Sequence, residues 1–178
     1  MGDATSSAGN EIVVANSGEA TGTVSVYTGA GSLVGSYDAT VTATGVPYDT
    51  LVADVLPDAA GAETIVAMRS AVGQGGFNLF QYGAGLTSMQ TYTTSQYDNT
   101  SALAAGDVDS DDEFELIVGN AGSWATTATV EKAPSAYVYS ATTAGTAIDT
   151  TPVTLLSEGV QQAGNPPALV AVDLGILG

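Results

Sequence analysis

The residues best suited to chemistry form a short acidic loop, residues 107–115, which reads DVDSDDEFE. Its carboxylates alternate along the loop and then close it: Asp107, Asp109, Asp111 and Glu115. Alternate side chains converge on one point, and with water and the backbone carbonyl of Glu113 they approach the roughly six to eight oxygens that a hard cation takes. Four like charges at this density also repel one another unless an ion neutralises them. We therefore expect Ca2+ at Asp107, Asp109, Asp111, the Glu113 carbonyl and Glu115. The alternative is a solvated acidic turn.

Outside this loop the chain has few reactive side chains. It contains no His and no Cys, which removes Ser-His-Asp and Cys-His catalysis, disulfides and the usual zinc sites. A glycosidase that uses two carboxylates remains as the alternative enzyme class, but no second pair of acids stands out. We expect no enzymatic activity.

The charge of the chain restricts its partners. Against 19 Asp and Glu there are 2 Lys and Arg, and the net charge of the 178 residues is -17. Binding to phosphates requires clustered basic residues, so nucleic acid and anionic membranes are excluded as partners. No apolar run approaches the roughly 18 residues of a membrane span, and we expect no membrane insertion. The length predicts one domain, residues 1–178.

The chain carries an internal repeat. EIVVAN begins at Glu11, ETIVAM at Glu63 and ELIVGN at Glu115, with 52 residues between successive copies. The repeat units are about 11–62, 63–114 and 115–178, and each supplies about four short strands. A generic β-sandwich would give similar apolar runs. The fixed period favours an all-β fold of three propeller-type, four-stranded blades.

The acidic loop and the strands on either side of it resemble a known family. The segment LAAGDVDSDDEFELIVGN resembles the FG-GAP/VCBS repeat of integrin-like β-propellers and of many secreted microbial proteins. The likeness covers Gly106 and Asp107, the alternating acids and the apolar strand that follows them, residues 116–120. It implies Ca2+ in the loop, one blade per repeat, and an extracellular structural or adhesive role. The family usually has Gly where this chain has Asp112, so an Asp must carry a left-handed backbone there.

The other two copies of the loop are degenerate. The second, ADVLPDAAGAE from Ala53, keeps Asp54, Asp58 and Glu63 but has Leu56 at a ligand position, and we expect no tight metal binding there. In the first copy, hydroxyls replace most of the acids, which leaves weak coordination or a plain turn. The residues of this copy that align with the acidic loop are Asp3, Thr5, Ser7 and Glu11.

The last apolar segment, ALVAVDL from Ala168, copies the strands LVADV from Leu51 and ALAAGDV from Ala102. No such strand precedes the first loop, and three blades are fewer than the roughly four to eight of known propellers. We expect residues from about Pro167 to Gly178 to pair with Glu11–Asn16 of another subunit, which gives a ring or a filament. The alternatives are closure within one molecule and membership of a longer propeller that serves as a carbohydrate-binding or adhesion module.

Two further features bear on location and partners. The triplet Asn99-Thr100-Ser101 fits the N-glycosylation pattern in a polar turn, so we expect an exposed Asn99 that carries a glycan; an unmodified turn is the alternative. Exposed Tyr residues and Trp124 would suit a carbohydrate or cell-surface ligand; the alternative is that these aromatic side chains belong to the core. We expect the protein to be extracellular or on the cell surface.

Overall fold

The structure is a computed structural model of the chain. It describes residues 9–16, 23–38, 46–59, 61–69, 75–82, 86–93, 100–120 and 135–157. These residues form strands and turns and no helix, so the predicted all-β class is confirmed. None of the described segments is a helix with the length and hydropathy to traverse a bilayer.

The described part of the chain contains eleven strands. In chain order they are β1 Glu11–Asn16, β2 Thr23–Thr28, β3 Leu33–Asp38, β4 Val46–Ala53, β5 Glu63–Arg69, β6 Gly75–Tyr82, β7 Leu86–Thr93, β8 Thr100–Gly106, β9 Glu115–Asn120, β10 Ser135–Tyr139 and β11 Val153–Ser157.

The strands form three antiparallel sheets in which each strand pairs with its neighbour in sequence. The first sheet has the order β1-β2-β3, the second β4-β5-β6-β7 and the third β8-β9-β10-β11. Sheets and repeat units are offset by one strand, because β4 ends the first unit and β8 ends the second, yet each pairs with the strand that follows it. The strands β1, β5 and β9 begin with the three repeated Glu residues.

Alternation along the strands determines which side chains reach the core. On β2, Val24 and Val26 are fully buried, whereas Ser25 and Tyr27 on the other face are half-buried. On β5 every described side chain from Glu63 to Met68 is buried. Both faces of β5 are thus covered by other parts of the protein. The second sheet is therefore the middle layer.

The second sheet packs against a different sheet on each face. Towards the first sheet, Val66, Met68 and Phe80 pack against Val24 and Val26. Towards the third sheet, a larger core contains the buried residues Val55, Leu56, Ile65, Phe77, Leu79, Tyr92, Leu116, Val118, Tyr139 and Ile148. In that core the rings of Phe77 and Tyr92 are stacked, with centroids 4.4 Å apart, and Tyr139 meets Phe77 edge-on at 5.1 Å.

The first and second sheets meet mainly along β1 and β4, and the second and third sheets meet mainly where β4 and β5 contact β8. A side chain links two of them there, because Asp49 Oδ2 on β4 accepts a hydrogen bond from the backbone N–H of Leu103 on β8 at 3.0 Å. The other oxygen of Asp49 accepts from the N–H of Thr50 at 2.8 Å. The bond to Leu103 satisfies a backbone donor at the edge of the third sheet.

Residues 140–152, which join β10 to β11, lie against the second sheet and are called the strap below. The Gln90 amide accepts from Ile148 N at 2.9 Å and donates to Ile148 O at 3.1 Å, and Tyr92 also donates to Ile148 O at 2.6 Å. Asp58 N donates to Gly145 O at 3.2 Å. Gly145 has a φ of 61°, and a Cβ at this residue would overlap the Asp58 carboxylate.

Candidate metal centre

The acidic loop connects β8 to β9, whose ends pair through Gly106 and Glu115. Residues 107–114 are all exposed. Eight residues, 107–114, separate the two strands, so the hairpin has a long loop. Polar side chains supply the hydrogen bonds that hold this loop.

Asp107 organises the first half of the loop. Its Oδ1 accepts hydrogen bonds from Ser110 N at 2.6 Å and from Asp111 N at 3.2 Å, and its Oδ2 accepts from Asp112 N at 3.2 Å. An Asp side chain that accepts from the backbone a few residues ahead stabilises a turn locally.

Two residues of the loop adopt a left-handed backbone. Asp112 has a φ of 70°, as the comparison with the family pattern predicts, and Ser110 has a φ of 68°. Both are uncommon for residues other than Gly. The bend at Ser110 was missed in the sequence, since no Gly or Asn stands at that position. The bond from its N–H to Asp107 accompanies the bend.

Three carboxylates of the loop converge. One oxygen each of Asp107, Asp109 and Glu115 lies within 4.8 Å of the other two. Oxygens around one Ca2+ lie about 2.3–2.6 Å from it and hence at most about 5 Å from one another. The spacing of the three oxygens therefore suits a single metal ion.

Asp111, a further predicted ligand, lies outside this convergent group. Asp111 Oδ1 accepts a hydrogen bond from Glu113 N at 2.9 Å, so this carboxylate helps to hold the second half of the loop. The backbone carbonyl of Glu113 as a ligand stays a prediction. As a metal ligand, Asp111 would use Oδ2 while Oδ1 keeps this bond, or would give the bond up.

Glu115 differs from the other acids because it is only 3% exposed. Its Oε2 accepts from Val108 N at 2.8 Å. Burial raises the pKa of Glu115, and the neighbouring charges of Asp109, Asp111 and Asp107 raise it further, while the bond from Val108 opposes the rise. A cation beside these groups would offset both the burial of the charge and the repulsion among the acids.

The second loop, which precedes Glu63, is held by the same bond from the repeated Glu but carries apolar residues in place of acids. Glu63 Oε2 accepts from Val55 N at 3.1 Å and from Leu56 N at 3.2 Å. Both Val55 and Leu56 are fully buried. An apolar side chain thus stands in the core at the position where the acidic loop has a carboxylate.

The repeated Glu therefore has a role that the sequence analysis missed. In the second and third sheets its Oε2 accepts the N–H of the Val that follows the Asp of the loop, Val55 or Val108. The signal was present in the sequence, since Glu begins all three apolar strands although only the third loop is rich in acids. Glu115 both ties the loop to β9 and belongs to the convergent triad.

Several predicted sites lie outside the described residues. They are Asn99, the first-loop residues Asp3, Thr5 and Ser7, Trp124 and the segment from Pro167 to Gly178. The glycan at Asn99, the weak first loop, the ligand at Trp124 and the C-terminal strand therefore stay predictions.

Comparison with family models and with curated proteins found no match to this chain. The functional interpretation therefore rests on the loop and on the repeat. Three oxygens at this spacing can hold a hard cation, and no imidazole or thiol exists in the chain to favour a softer one.

Proposed function

We propose that the chain is a non-enzymatic extracellular structural or adhesive subunit of FG-GAP/VCBS type, in which the acidic loop binds Ca2+. The observation that carries the proposal is the convergence of Asp107, Asp109 and Glu115 within 4.8 Å. The extracellular role and an adhesive partner, such as a carbohydrate or cell-surface ligand, are supported by the resemblance of the loop.

Ca2+ fits the loop better than Mg2+. Mg2+ holds its ligands at about 2.0–2.1 Å, which places opposite oxygens only about 4.2 Å apart, whereas Ca2+ accepts wider and less regular sets. Oxygens up to 4.8 Å apart lie within the span that Ca2+ accepts, and we therefore expect the loop to prefer Ca2+. Bound Ca2+ would join the end of β8 to the start of β9, and its role is to stiffen the hairpin.

The three sheets are blades of a propeller in this proposal. Two features support it: the second sheet has a neighbour on each face, and its edge strand β4 contacts both β1 of the first sheet and β8 of the third. Blades around an axis have the same arrangement, with their inner strands closest together.

The subunit assembles head-to-tail by strand exchange. Within the described residues the first sheet has three strands, and no strand occupies the position beside β1 that β4 and β8 occupy beside β5 and β9. The segment from Ala168 repeats the sequence of β4 and β8. Donation of this segment to β1 of a second copy would complete a four-stranded sheet.

Calcium binding is tested by calorimetric titration and thermal unfolding of the full chain. At a Ca2+ concentration of about 100 times Kd the folded state gains about 2.7 kcal/mol, which raises Tm by about 5–10 °C for a chain of this size. Asp109→Asn should lower the affinity at least tenfold. The matched control is Asp54→Asn in the second loop, which should leave the Ca2+ response unchanged.

Mg2+ at equal ionic strength separates binding at the site from general screening of the negative chain. A wild-type Tm that ignores both Ca2+ and excess chelator would contradict the proposal. Equal Ca2+ responses in wild type and Asp109→Asn would also contradict it.

A further inference from the structure

Two buried polar side chains of the second sheet have no hydrogen-bond partner within the described part of the chain. Asn78 on β6 is 0% exposed and Thr64 on β5 is 1% exposed. Neither the nitrogen nor the oxygen of the Asn78 amide has a partner among the described residues, and the same holds for the Thr64 hydroxyl. Buried polar groups nearly always bond to protein or to ordered water.

The two side chains are neighbours on one face of the sheet. Thr64 pairs with Phe80 and Val66 pairs with Asn78, so Thr64 and Asn78 are diagonal neighbours, whose Cα atoms are typically about 7–8 Å apart. Val66 and Phe80 pack against the first sheet. The two polar groups therefore lie between the first and second sheets, inside an apolar layer.

The third sheet provides a reference for these positions. Leu116 stands 52 residues after Thr64, and Tyr137 pairs with Val118 as Asn78 pairs with Val66. Apolar or aromatic residues thus fill the same places in a sister sheet. The architecture does not require polar groups there, so Asn78 and Thr64 need a partner of their own.

We propose that an ordered water molecule bridges Asn78 and Thr64 between the first two sheets and is part of the folded protein. The Asn amide offers two donors and one acceptor, and the Thr hydroxyl offers a donor and an acceptor. A buried water typically makes about three hydrogen bonds, which these groups can supply. Both side chains are neutral, so water is the partner that brings no uncompensated charge into the apolar layer.

A buried Thr–Asn pair in the third sheet serves as the matched control. Thr100 Oγ1 bonds directly to Asn120 Oδ1 at 2.9 Å, with no need for water between them. We expect removal of the Thr100 hydroxyl to change stability without changing the number of internal waters.

Oxygen-17 relaxation dispersion of the solvent counts long-lived internal waters in the full chain. We expect Thr64→Val and the double variant Thr64→Val/Asn78→Leu to lose the contribution of one water, whereas Thr100→Val keeps the wild-type amplitude. Thr64→Val is close in shape to the native residue, so it provides the measurement if the double variant does not fold. Wild-type amplitude in Thr64→Val would overturn the proposal.

Discussion

At the residue scale, Glu63 is the side chain whose protonation should affect stability near neutral pH. Burial raises its pKa from 4.5 to about 7, with Asp54 adding to the rise and bonds from Val55 and Leu56 opposing it, and its Oε1 is buried without a described partner. The folded state therefore holds a proton that the unfolded state has released between these pH values. The contribution of Glu63 to the free energy of unfolding is therefore fully present below about pH 4.5. It falls by about 3 kcal/mol as the pH rises through about 7. Glu63→Gln should remove this loss, and urea unfolding at pH 5 and pH 7.5 measures it. Parallel pH profiles for the two proteins would contradict the assignment.

At the element scale, the strap depends on two side chains of β7. Gln90 satisfies both the N–H and the carbonyl of Ile148, whereas Tyr92 adds a second bond to that carbonyl. Burial raises the pKa of Tyr92 to about 12, so its hydroxyl keeps the proton that it donates. Gln90→Leu leaves a buried N–H unpaired and should cost about 1–3 kcal/mol, while Tyr92→Phe should cost about 0.5–1.5 kcal/mol. Hydrogen exchange at the Ile148 amide should accelerate in Gln90→Leu only. Faster exchange in Tyr92→Phe than in Gln90→Leu would show that the strap is held differently.

At the scale of the whole molecule, the proposed assembly predicts a register. Leu103 pairs with Val118 in the third sheet, and the aligned pair between copies is Leu169 with Val14. The chain has no Cys, so Val14→Cys mixed with Leu169→Cys should form a disulfide-linked dimer under oxidation, and one chain with both substitutions should form a ladder on a non-reducing gel. Tyr48→Cys, at an exposed residue of β4, mixed with Leu169→Cys is the control for random oxidation. A monomer with an internal disulfide, or no specific link, would contradict exchange between chains.

The sequence by itself determined the local features. The 52-residue period and the alternation of apolar residues predicted β-strands, because successive side chains of a strand point to opposite faces and the buried face then shows in the sequence as every second residue. The acids of residues 107–115 predicted the converging carboxylates of Asp107, Asp109 and Glu115, and the family pattern predicted the left-handed backbone at Asp112. These properties depend on neighbours within one turn or one strand.

Only the tertiary structure decided how distant segments meet. Nothing in the sequence near Ile148 indicates that its backbone bonds to Gln90, or that Leu56 leaves its loop for the core between two sheets. The complete burial of Glu63, and with it the rise of its pKa, likewise follows from packing. Such contacts join residues far apart in the chain, and their free energy depends on how the side chains pack between the stacked sheets. A local pattern predicts a strand and the face that it buries, but the layer that covers this face is decided by packing.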